Sequence, residues 1–194
     1  DILTALIDAE EEGDRLSEDE LVAMVFLLIV AGHETTFNLI TNATYTLLTH
    51  QDQLARLSGD WSLIDSAVEE VLRFNGPLYT TKPEFPSEDV TMHGVTIPKG
   101  STVFPLLGAA NYDPTVFENP EVFDITRSPN RHLGFGQGIH YCLGAPLARL
   151  ETKIAVKRLF ERNANLKLAV DESELKLITR PGWHGFTALP VQLG

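Results

Sequence analysis

The sequence predicts a mainly α protein with small β-sheets, on three observations. Helical periodicity runs almost unbroken over residues 18–48. A second helical pattern, with the apolar stripe Leu143, Leu147, Leu150 and Ile154, covers about 143–162. The alternating apolar patches are short and bounded by Pro and Gly, near 90–107 and in the tail. At 194 residues the chain is long enough for one domain with a substantial core or two small ones. No repeat, linker or low-complexity tract divides it, so residues 1–194 read as one domain.

Each element has a local cause. Ser17-Glu18-Asp19-Glu20 fits a capping box, in which the serine hydroxyl takes an orphan N–H and Glu20 reaches back. With the apolar stretch Leu21–Val30, the helix over 18–48 is apolar nearly all round, which predicts that it is buried as the central beam of something larger. Halfway along, Ala31-Gly32-His33-Glu34-Thr35-Thr36 is a poor helix-forming cluster inside a good helix, the kind of local conflict that marks function. Short helices are expected at 51–58 and 62–74, the latter ended by Gly76-Pro77. Val90, Met92, Val95 and Ile97 flank His93-Gly94 as a hairpin, and Pro98-Lys99-Gly100 turns into a strand over 102–107. Residues 110–135 show little periodicity, and a loop that long inside a compact chain is usually functional. The tail, 166–194, reads as short strands around Pro181-Gly182-Trp183-His184-Gly185.

Composition narrows the function. A formal charge of −12 argues against nucleic acid, which requires clustered Lys and Arg facing phosphates. The acidity is concentrated in residues 1–20, with nine acids against Arg15, while the remaining chain is close to neutral. The single cysteine, Cys142, excludes an internal disulfide framework and any multi-cysteine zinc or iron–sulfur site. No signal peptide opens the sequence, and the longest apolar run, Leu21–Gly32, is 12 residues against the roughly 20 of a membrane helix. These features predict a cytoplasmic protein without a membrane partner.

Several motifs fail. His33-Glu34 begins like HExxH, but Phe37 stands where the second zinc ligand belongs. Gly134-Phe135-Gly136 and Gly136-Gln137-Gly138 begin like a dinucleotide loop, but Ile139 and Tyr141 replace its last glycine. What stands is Phe135-Gly136-Gln137-Gly138-Ile139-His140-Tyr141-Cys142-Leu143-Gly144. It is a glycine-rich loop that delivers one thiol to the mouth of a helix, where backbone N–H groups and the helix dipole favour thiolate. A lone thiolate on a glycine-bordered loop suits haem iron, whose porphyrin supplies four further ligands.

That decapeptide, followed by Ala-Pro-Leu-Ala-Arg-Leu-Glu, resembles the haem-binding signature of the cytochrome P450 (P-450) superfamily, most closely its soluble bacterial members. Three further segments match in the same order. Ala31–Thr36 resembles the oxygen-activation stretch of the family's long helix, Glu70-Val71-Leu72-Arg73 its E-x-x-R motif, and Asn119–Arg127 the segment whose arginine completes a Glu–Arg–Arg cluster. The resemblance implies the C-terminal half of the cytochrome P450 fold, with the N-terminal half absent.

It further implies heme b (iron protoporphyrin IX) as cofactor, with Cys142 as the axial thiolate and His140 bonded to a propionate. Phe135 would pack beside the thiolate, Gly136 and Gly144 border it, and Gly32 lets the porphyrin approach the helix. Glu34 and Thr35 would relay the protons that O–O cleavage needs, while Glu70, Arg73 and Arg127 form a structural cluster. The implied activity is a monooxygenase inserting one oxygen atom of O2 into a lipophilic small molecule, contacted by Val30–Ala31 and the segments 77–82 and 182–186. No nicotinamide- or flavin-binding segment is present. Electrons would therefore come from NAD(P)H through separate redox proteins, a ferredoxin or flavodoxin with its reductase. Arg149, Lys153 and Lys157, at successive i+4 positions after the cysteine, form a basic row suited to an acidic donor.

The sequence departs from the family at Thr80-Thr81-Lys82, where an arginine commonly binds a propionate, and at Tyr112 in Ala110-Asn111-Tyr112-Asp113, where the usual residue is arginine. The half-length chain predicts much exposed apolar surface. Two other readings stand beside the monooxygenase: a truncated, non-catalytic homologue that binds another protein, and a peroxide-driven peroxygenase that would not need the Glu34–Thr35 relay.

Overall fold

A computed structural model describes residues 4–5 and 16–194. Most of the acidic N-terminal segment, including Asp8 and Glu10 to Asp14, lies outside the described residues. Helix α1 spans Glu18–Thr49, close to its predicted bounds. Its capping box is complete: Ser17 Oγ accepts from Glu20 N at 3.3 Å, and Glu20 Oε2 accepts from Ser17 N at 2.9 Å. Three acids in the first turn face the positive end of the helix dipole.

After α1 come α2 (Gln51–Gly59), a 3₁₀ turn (Trp61–Leu63) and α3 (Ile64–Asn75). Asp60 starts the turn by accepting from Ser62 N at 2.9 Å. A hairpin, β1 (Val90–Met92) with β2 (Val95–Ile97), pairs Val90 with Ile97 across His93-Gly94, both at positive φ. The strand expected at 102–107 is not formed. Val103 makes one isolated bridge to Glu84, and Leu107–Ala110 coil into a single turn, α4. Residues 111–137 hold no helix or strand, as the missing periodicity predicted. Helix α5 spans Ala145–Arg162, and β3 (Lys167–Leu168) pairs antiparallel with β4 (Val191–Gln192).

The core forms where α1, α3 and α5 meet. Leu39, Ala43 and Leu47 of α1, Val71 and Leu72 of α3 and Val156 of α5 are each 1% exposed. Two expectations about this core fail in an informative way. Only the C-terminal half of α1 is buried; Val22, Phe26, Leu27 and Ile29 are 57–67% exposed. On α5 the buried positions are Ala145, Thr152, Val156 and Phe160, whereas the predicted stripe of Leu143, Leu147, Leu150 and Ile154 faces outward. Both helices are apolar on a second face that no described element covers. Helix α1 is long and apolar enough to cross a membrane by length and composition, although its apolar run is broken by Gly32–Thr36 and its second half lies in the core.

The tail is zipped onto the segment after α3. Tyr79 N donates to Gly182 O and His184 N to Pro77 O, each at 2.9 Å, and the Tyr79 and His184 rings stack at 4.2 Å. Beneath them Asn42 Nδ2 donates to the carbonyls of Asn75 (3.0 Å) and His184 (3.1 Å), and Asn75 Nδ2 to Thr46 Oγ1 (2.9 Å). His184 Nε2 lies 2.6 Å from Asn75 Oδ1, which as a carbonyl oxygen only accepts. Burial lowers the pKa of His184, which favours this neutral ring. Gly185 is demanded by close approach: a Cβ there would lie 2.4 Å from Asn38 Oδ1.

Candidate active site

The cysteine loop is a closed turn set against the start of α5. Cys142 N donates to Phe135 O at 2.9 Å and clamps the two ends, while Gly136 N to Leu133 O (2.8 Å) and Tyr141 N to Gly138 O (3.1 Å) tighten each side. Gly136 (φ 70°) and Gly138 (φ 74°) occupy the left-handed region, so glycine is required there. Gly144 is under no such constraint, and a Cβ on Gly32 would meet open space. Cys142 is exposed, as is His140, and the apolar side chains Ile139 and Leu143 are 99% and 88% exposed.

Glu70, Arg73 and Arg127 come together in one buried cluster. Arg73 donates to both carboxylate oxygens of Glu70 (2.7 and 2.8 Å), and Arg127 Nε lies 3.1 Å from each. Asp124 N and Asn130 Nδ2 complete the carboxylate's partners at 3.1 and 3.0 Å. The remaining guanidinium donors go to backbone: Arg73 to Asn111, Pro120 and Val122, Arg127 to Glu118, Asn119 and Val122. Through these carbonyls, two arginines hold a long segment that has no ladder of its own. Phe74, Tyr112 and Phe117 rings enclose Arg73 at 5.4–5.7 Å. Tyr112, standing where the family's arginine was expected, donates to Phe74 O at 2.7 Å.

On α1, Thr35 Oγ1 donates to Ala31 O at 2.6 Å, the local back-bond open to any helical threonine. That leaves its lone pairs free to accept. Glu34 is bound by Arg180 of the tail, and the Arg180 guanidinium lies over the Trp183 ring at 3.9 Å. Glu34 and Arg180 border a cleft of about 600 Å³ between α1 and the tail, lined also by Phe37, Asn38, Ile178 and Phe186. The sequence placed the 182–186 turn near the site but carried no sign of Arg180, whose partner lies 146 positions away. Lys82, where the family commonly has an arginine, is exposed and 3.9 Å from Glu84.

The basic row is not free. Arg149 is bound to Glu69 and Lys153 to Asp65 (2.6 Å each), both on α3, and Lys157 pairs with Glu161 at 3.8 Å and lies over Trp61. The charges expected to face an acidic donor are neutralised by carboxylates of this chain. The hydrogen bonds that Arg149 donates to Glu69 raise the pKa of the guanidinium. Burial raises that of Glu69, but hydrogen bonds from Arg149 and His132 outweigh it and hold the carboxyl at about 2.

The family model for Cytochrome P450 matches residues 1–189. The cytochrome P450 monooxygenase PikC of Streptomyces venezuelae is 49% identical over 193 residues, covering 99% of this chain and 46% of its own length. The solved structure of the bacillaene polyketide synthase cytochrome P450 PksS of Bacillus subtilis 168 superposes with a TM-score of 0.97 at 45% identity, over 100% of this chain and 50% of that one. CYP109E1 from Bacillus megaterium in complex with testosterone gives 0.95 at 41% identity, covering 100% and 53%. The chain spans about half the length of the curated relatives it matches.

Proposed function

The chain belongs to the cytochrome P450 family, and from that premise we propose that it forms the part of a haem-thiolate monooxygenase that carries the proton-handling helix and the cysteine which would hold the haem. The residues present fit the cofactor. A single thiol stands exposed on a loop closed by the Cys142–Phe135 hydrogen bond, flanked by the uncovered side chains Ile139 and Leu143. On α1, Gly32 leaves open space where a side chain would stand. A flat apolar macrocycle matches that surface in polarity. When bound, haem supplies the redox-active iron at which dioxygen is reduced.

The chain's own residues take the remaining tasks. Cys142 Sγ, at the mouth of α5, would be the protein's ligand to the iron. His140 offers a ring N–H to a haem carboxylate, and Phe135 excludes water from the sulfur. Glu34 and Thr35 are the side chains that relay protons on this helix, while Arg180 fixes where the Glu34 carboxylate sits. Glu70, Arg73 and Arg127 fix the backbone of the 111–130 segment. Substrates are lipophilic small molecules, a reading supported by the polyketide and testosterone connections of PksS and CYP109E1 and by apolar Val30, Ala31 and Tyr79. Electrons come from NAD(P)H through a ferredoxin or flavodoxin with its reductase, in the cytoplasm.

The carrying observation is the exposed cysteine on its closed loop, and Cys142→Ser tests it. The haem-loaded protein is expected to give the red-shifted ferrous–CO band of thiolate-bound haem, and the serine variant to lose it. An unchanged band in the variant overturns the proposal. A second reading, a homologue that holds no haem by itself, is favoured by the uncovered faces of α1 and α5. Failure of the chain to retain haem while remaining folded would select it.

A further inference from the structure

The carboxylate one residue before the buried cluster belongs to a different network. Glu69, on α3, is held by two residues that reach the cysteine loop from its opposite ends. Arg149 donates to it through Nε (2.6 Å) and Nη2 (2.8 Å), and through Nη1 to the hydroxyl of Tyr141 (3.1 Å), the residue before Cys142. The same guanidinium covers the Phe135 ring at 4.5 Å. At the other end His132 places Nε2 3.0 Å from Glu69, while its Nδ1 accepts the N–H of Gly134 at 3.0 Å. That acceptor role leaves the ring proton on Nε2, directed at the carboxylate.

We propose that Glu69 is the positioning residue that sets the backbone of the cysteine loop, through His132 at its start and Arg149 at its end. The functional weight of this rests on Cys142 being the metal ligand; the tethers themselves do not. The side chain of His132 is 4% exposed and that of Glu69 29%, so these charge-assisted bonds are partly shielded from water. Without the carboxylate, a guanidinium fork and an imidazole N–H point at one another with no acceptor between them. A simple tie between α3 and α5 would behave otherwise, and the molecule contains one for comparison. Lys153 and Asp65 join the same two helices at 2.6 Å without touching the loop.

The test compares Glu69→Gln with Asp65→Asn in the full chain by amide hydrogen exchange. In Glu69→Gln, exchange at Gly134, Gly136 and Cys142 is expected to rise roughly tenfold or more, as loss of a hydrogen bond to a charged group implies. Amides of α1 near Leu39–Leu47 should not change, and Asp65→Asn should leave the loop as it was. Equal loop exchange in wild type and Glu69→Gln, or an equal rise in both variants, overturns the proposal. Should Glu69→Gln unfold throughout, Arg149→Lys keeps the charge and removes the fork, and unchanged exchange at Cys142 in that variant is equally fatal. With haem bound, Glu69→Gln is expected to move part of the ferrous–CO absorption away from the thiolate position and Asp65→Asn is not. A wild-type protein lacking that band would remove the ligand reading of Cys142 and leave the exchange result standing.

Discussion

Glu70 accepts two arginines, an amide side chain and a backbone N–H while its side chain and that of Arg73 are 0% exposed. Removing one partner of such a group is costly because the other charge stays buried and unmatched. Glu70→Gln is therefore expected to lower stability by about 3–5 kcal/mol, measured by urea unfolding, and to loosen the 111–130 segment first. Glu70, Arg73 and Arg127 were legible as motif letters. Their carbonyl partners were not, because they lie in a segment with no periodicity to place it. Glu69 was not legible either: its partners His132 and Arg149 stand 63 and 80 positions away, and a Glu-Glu pair on a helix does not announce which of the two turns inward. The charge of Arg149 is legible in the sequence, yet i+4 spacing on one helix says nothing about acids on the helix beside it.

At the scale of elements, the signals that depend on a few adjacent residues were the readable ones. The Ser17–Glu20 box starts α1 as expected, and His93-Gly94 turns the hairpin. The stripe of α5 failed for a physical reason: periodicity reports which side of a helix is apolar, not what covers it, and α5 is apolar on two sides. Phe160→Ala is accordingly expected to cost about 3–5 kcal/mol, since Phe160 is 7% exposed in the core. Ile154→Ala, at 55% exposure, should cost less than about 1 kcal/mol, an order that the sequence stripe alone would reverse. Chemical denaturation of the two variants decides between them.

For the molecule as a whole, stability should depend on pH through Glu69. Its carboxyl is held at about 2 in the folded state against an ordinary value of 4.5. The unfolded chain therefore takes up the proton first on acidification. The contribution is complete above pH 4.5 and is lost as pH falls from there through about 2. Glu69→Gln is expected to flatten that acid limb of the stability curve relative to wild type, measured as unfolding midpoint against pH. An unchanged slope would mean that the ion pair with Arg149 is too weak to matter. The order of the motifs along the chain was enough to identify the architecture, because each pins a different part of one fold. The uncovered faces of α1 and α5 followed less from pattern than from extent, with the chain matching about half of each relative.

The solitary thiol has a practical corollary. Because Cys142 is the chain's one cysteine and stands exposed, a maleimide or iodoacetamide meets no competing sulfhydryl. Each modified molecule gains a single defined mass, so the unlabelled fraction becomes a direct gauge of how often that position is shielded by whatever settles upon it.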